Sequence, residues 1–176
     1  MKKYVPYIVG IVVLFGLVYL GQGVMKNREA VTEEEVMVKT PTTLVEGTVT
    51  RFFEGEWVLG YAFDMPEGAT TTVERDGSIV KVTEEGNLLS AMYFSYEGGR
   101  GYSAEDYINN VIAPNVSMVT TVGTTTIGSA DWVVAEGATS VWHVASVKGG
   151  EWLVVAESKK GSNEKALEIL ESLTTK

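Results

Sequence analysis

The chain has 176 residues, 45% of them hydrophobic and 21% charged, with one histidine, no cysteine and a net charge of -9. That length fits one globular domain with appendages, and the apolar share excludes wholesale disorder. Without cysteine there is no disulfide framework, thiolate metal site or lipid-modified cysteine, and the acidic balance speaks against nucleic acid as a partner.

The chain opens with "MKKYVPYIVGIVVLFGLVYLGQG". The 17 residues from Tyr4 to Leu20 carry no charge. As a helix they span about 25 Å, close to a hydrocarbon core of roughly 30 Å once the next few residues are added. We read residues 1–25 as an N-terminal membrane anchor, a transmembrane helix with Tyr4, Tyr7 and Tyr19 near its ends. The alternative is a signal peptide cleaved near Gly21-Gln22-Gly23, which would leave a secreted domain. Lys2 and Lys3 place the start on the cytoplasmic side, although Lys26 and Arg28 weaken the asymmetry. The expected location is therefore the cell membrane, single-pass, with the C-terminal domain outside the cytoplasm. Lys2, Lys3, Lys26 and Arg28 make the first 28 residues +4, which leaves -13 for the rest of a chain that totals -9.

Residues 26–47 read as a linker, with Glu33 to Glu35 forming a solvated acidic run and Pro41 among threonines favouring extended chain. Residues 48–176 read as one extracytoplasmic α+β domain. "TVTRFF" and "WVLGYAFDM" have the period of strands, and Pro66 ends the second. "TTTVER" and "SIVKVT" flank Asp76-Gly77, the signal of a two-residue hairpin turn with positive φ at both positions. "NLLSAMYFSYE" is a further strand. Ser103 and Asp106 then form a capping box for a helix whose Ala104, Tyr107, Ile108, Val111 and Ile112 share a face, and Pro114 closes it. "SMVTTVGTTTIG" and "ADWVVAEG" are the next strands. Trp132, Trp142 and Trp152 recur every ten residues, the spacing of a three-strand meander. Ala166, Ile169, Leu170 and Leu173 repeat at helical spacing in the closing segment.

"YAFDMPEG" (residues 61–68), "SAEDYINNVI" (103–112) and the terminal helix resemble the PsbP-like family over about 125 residues. The resemblance implies an antiparallel β-sheet meander flanked by two helices, an α/β/α sandwich. It also implies an accessory or binding role and carries no catalytic residues across; separately, no cofactor is expected.

"SVWHVASVKGGEWLVV" (140–155) holds the lone histidine and two tryptophans around Gly149-Gly150. A hairpin there sets Val147 opposite Trp152, Ala145 opposite Val154 and His143 opposite Ala156. Trp142 and Trp152 then point to opposite faces and form no joint aromatic platform. His143 with Asp131 and Ser146 makes a poor triad, since Ser146 projects away from His143. A transition metal would find no second histidine or cysteine. "GRGYSA" (99–104) has the form of a dinucleotide fingerprint but lacks the acid about 20 residues on. "NVS" at Asn115 is a formal glycosylation sequon.

No catalytic constellation emerges, so the expected function is a single-pass membrane-anchored accessory subunit binding an unidentified protein partner. A second expectation is a small-molecule or ion-binding domain that uses the loop around Gly98 to Tyr102, with Tyr96, Arg100 and Tyr102 lining a cleft. An enzyme using Asp64 and Glu67 as acid and base comes last.

Overall fold

The computed structural model of the protein describes residues 42–52, 56–97, 102–161 and 163–176. The local signals become elements where expected. Asp76 and Gly77 have φ of 53° and 85°, and Ser78 N–H donates to Arg75 O at 3.1 Å, so the turn closes as a hairpin with positive φ at both central positions. It joins β3 (Ala69–Glu74) to β4 (Ile79–Glu84), and Glu85-Gly86 joins β4 to β5 (Asn87–Tyr96) by the same device. The tryptophan repeat forms β7 (Ala130–Glu136), β8 (Ser140–Val147) and β9 (Trp152–Lys159), adjacent and antiparallel. Val147 pairs with Trp152, Ala145 with Val154 and His143 with Ala156. A tight turn over Lys148–Gly150, with all three residues at positive φ, makes the connection.

Hairpins extend into sheets in a way that local signals do not dictate. Seven strands form one sheet in the order β3-β4-β5-β9-β8-β7-β6, with β6 (Thr120–Ile127) at the far end. The first two strands do not join it. β1 (Thr43–Phe52), β2 (Glu56–Met65) and the two-residue β10 (Thr174–Thr175) form a separate three-stranded sheet, order β1-β2-β10. Pro66, which has no N–H to donate, sits where the chain leaves one sheet for the other; its carbonyl accepts from Ala69 N–H at 3.1 Å.

This corrects the expected architecture. The α/β/α sandwich is not formed: 60% of the described structure is strand and 17% helix, with only two short helices. One face of the seven-stranded sheet is covered by β1 and β2 together with α2 (Asn163–Ser172), through Val49, Leu59, Tyr61, Phe63, Ile169 and Leu170. Tyr61 stacks on Phe94 at 4.5 Å between the two sheets. The opposite face is covered by the short helix α1 (Ala104–Tyr107), which continues in π geometry over Ile108–Ile112 and closes with Ala113 N–H bonded to Ile108 O at 2.8 Å. Thr43 to Gly47, assigned to the linker, are strand, because their extended chain finds β2 as a partner. The expected span over residues 1–25 and the rest of the linker lie outside the described residues. Among the described residues no helix is long and apolar enough to cross a membrane.

Gly77 and Gly86 occupy the same place in successive turns, at φ of 85° and 80°, but in different surroundings. A Cβ on Gly77 would lie 2.4 Å from Thr48 O, whereas one on Gly86 meets nothing within 4 Å. Gly86→Ala is therefore expected to cost about 1 kcal/mol for backbone conformation alone. Gly77→Ala should cost clearly more, since β1 must also move. Urea unfolding of the two variants measures the difference, and equal losses would contradict the contact between turn and strand.

Candidate interaction edge

The residues singled out from sequence separate into different environments. His143 is buried on the face it shares with Trp152, and its ring meets Trp132 edge-on with centroids 6.5 Å apart. Burial pushes its pKa below the usual histidine value. Ser146 is exposed, and Asp131 accepts a hydrogen bond from Thr126 Oγ1 at 2.7 Å. No triad is assembled. Trp132 and Trp152 enter the core beneath β1 and β2, while Trp142 enters the core beneath α1.

Ser103 Oγ accepts from Asp106 N–H and Asp106 Oδ2 accepts from Ser103 N–H, both at 3.1 Å, so the capping box consumes donors that a phosphate would need. The Ser103 bonds hold the Asp106 carboxyl below its usual range. Residues 98–101, with Arg100, lie outside the described residues. On either side of them Tyr96 stacks on Trp57 at 4.9 Å in one core, and Tyr102 packs into the other. The two tyrosines therefore face opposite sides of the large sheet and line no common cleft. Glu97, beside the same loop, is only 4% exposed; its Oε1 accepts from Ser95 Oγ at 2.6 Å, and its Oε2 finds no partner. Asp64 and Glu67 are exposed. Among the described residues no group of three or more His, Asp or Glu is placed to hold a metal ion. A cavity of about 320 Å³ lies over Gly47 and Gly60 on the smaller sheet, rimmed by Glu46 and Lys176, and none of these was expected as a site residue.

The feature missed from sequence is an edge. β6 pairs with β7 on one side only and ends the large sheet among the described residues. Seven of its eight residues are exposed, so both of its faces and its outer ladder of N–H and C=O groups are open. Only the far end is fixed: Ile127 is buried, and Ile127 O accepts from the Trp132 indole N–H at 3.2 Å. The register with β7 shifts between Thr121 and Gly123, a bulge at Val122 that leaves Gly123 to Ile127 as a regular edge.

Open edges are usually guarded by charge, proline or shortness. The other edges are guarded: β1 carries Glu46 and Arg51, β3 ends in Glu74 paired with Lys81 at 2.7 Å, and β10 has two residues. β6 has neither charge nor proline and runs eight residues; its one guard is the bulge at Val122, which leaves Gly123 to Ile127 regular. It lies within a run of 24 residues, 107–130, that contains no charge. Just before it Met118 is 77% exposed with a left-handed φ of 60°, and Val122 within it is 62% exposed. That charge-free run was the available sequence signal.

No family model matches the chain, and comparison with curated proteins finds no significant relative. Neither comparison bears on the PsbP-like resemblance.

The sole histidine allows a clean test of its burial. Well above the ordinary histidine value of about 6.5 the ring is neutral in folded and unfolded chains alike, and full stability is present. As pH falls, the unfolded chain takes up the proton first, so stability is lost until the lowered folded value is reached. Between pH 7 and 5.5 the melting temperature of the wild type should fall further than that of His143→Leu. Parallel curves would show that the ring is solvated.

Proposed function

We propose that this chain is a single-pass, membrane-tethered domain outside the cytoplasm that acts as a protein-binding accessory subunit, with β6 as its docking strand. The observation that carries the reading is the exposed edge from Gly123 to Ile127, free of charge and proline. An extended segment added there would complete the ladder from Gly123 to Ile127 with main-chain bonds, the mode called β-augmentation. The tether supports this role because it confines the domain near membrane partners and raises their effective concentration. The acidic remainder of the domain disfavours flat docking on anionic lipid and leaves protein as the natural partner.

One observation favours a second reading, an ion or small cation bound near the Gly98 loop: the buried Glu97 Oε2 has no partner. A carboxylate oxygen out of water is costly unless paired. On this reading small ammonium ions or divalent cations raise the melting temperature of the wild type, and Glu97→Gln removes the shift. Identical curves with and without each cation would dispose of it.

For the docking strand, Thr125→Lys places a charge on an exposed side chain without touching either core. Recovery of the partner from crosslinked membranes should drop at least tenfold, while the melting temperature is unchanged. Undiminished recovery would exclude β6 as the docking strand. Protease digestion of intact cells should remove the domain, and protection would place it on the cytoplasmic side.

A further inference from the structure

We infer that the partner of β6 is the β6 strand of a second copy of this chain, paired antiparallel about a two-fold axis so that the two seven-stranded sheets join edge to edge. This rests on the docking strand proposed above and names its occupant.

Charge selects the occupant. Each copy carries -9, so two copies repel over most approaches, with a screening length of about 8 Å at physiological ionic strength. No residue of β6 is charged, and Asp131 on the neighbouring β7 is engaged by Thr126 Oγ1 of its own copy at 2.7 Å, so a like-charged body meets no acid on the docking strand itself. A basic partner would gain most against the acidic faces and nothing from a neutral strand. The other edges bring charge into any contact between copies, through Glu46 and Arg51 on β1 and Glu74 on β3.

The side chains are also self-complementary. Antiparallel pairing of Gly123 to Ile127 with itself sets threonine against threonine from Thr124 to Thr126, a cross-strand pair that the hydroxyls stabilise. A two-fold axis makes the contact isologous and closed, so the pairing ends at two copies and does not grow into a fibre. The bulge at Val122 enforces the same limit by kinking the strand before the ladder can lengthen.

Magnitude sets the lifetime. About four ladder bonds at roughly 1 kcal/mol each do not offset the upper part of the roughly 4 to 15 kcal/mol that free association costs. The pair is therefore transient in dilute solution. Exposed Met118 and Val122 add apolar contact at its ends, and tethering both copies to one membrane reduces the cost of encounter.

The chain has no cysteine, so a single introduced thiol is unique. The test uses the full chain in intact cell membranes, with Thr124→Cys, Thr125→Cys and Thr126→Cys made separately and oxidised, and Thr72→Cys on the opposite edge as control. A photo-crosslinking amino acid at position 125 runs in parallel to capture any neighbour. The expected result is a species of twice the chain mass, identified by peptide mapping as two copies, from at least one β6 cysteine and from the photo-crosslinker. It should be at least tenfold weaker at Thr72 and weakened tenfold by Thr125→Lys in the cysteine variants at 124 and 126. A photo-crosslink to a different protein, with no doubled species, overturns the second copy and leaves β6 as a docking strand. No adduct at any β6 position overturns both.

Discussion

The strands β5, β9 and β8 at the middle of the large sheet are apolar on both faces, and the rest of the domain is arranged to keep water from them. Trp152, Val154 and Ala156 point to one side of β9 and Leu153 and Val155 to the other, all buried. A fully buried tryptophan or leucine contributes about 1.5 to 3 kcal/mol relative to exposure. Leaving either face bare would therefore remove most of the margin of a domain this size. The chain meets the two faces differently: a second sheet and α2 on one, a single short helix on the other.

That coverage has a limited width, and its limit leaves one edge of the sheet uncovered among the described residues. The return of the chain from β8 to β9 places β9 beside β5, which puts the later hairpin of β6 and β7 on the outside. The covering elements reach Trp132 on one face of β7 and Ala135 on the other. They stop there. Among the described residues the rest of β6 has no cover on either face or on its outer edge, and it is held by one hairpin and by Ile127. A strand in that position gains little from apolar residues, and its threonines keep β propensity without adding grease or charge.

What was legible in the sequence follows the range of the interactions concerned. The pairing of Val147 with Trp152 and the turn at Asp76-Gly77 depend on residues a few positions apart, and both formed as read. The capping box at Ser103 and the buried stripe of Ala166, Ile169 and Leu170 are equally local. The sheet to which β1 and β2 belong is not local. Their hairpin pattern is the same whether they extend the meander or lie across it, and only the contacts of Val49, Leu59 and Phe63 with distant strands decide. The short helix was legible as a helix, while its π geometry, which brings Ala104, Ile108 and Ile112 inward at four-residue spacing, was not. For the site, β6 could be read as a strand, but its place at the end of the sheet is a consequence of β9 inserting beside β5.

The account depends on β6 presenting an uncovered ladder, and amide hydrogen exchange of the full chain reads that ladder directly. At low protein density, amides of Thr124 to Ile127 that point away from β7 should exchange within about tenfold of unprotected rates, while those of Val154 and Val155 persist. Raising the density of chain in the membrane should slow the same β6 amides and no others. Protection of every β6 amide at all densities, equal to that of β8, would mean that the edge is already covered and would contradict the account.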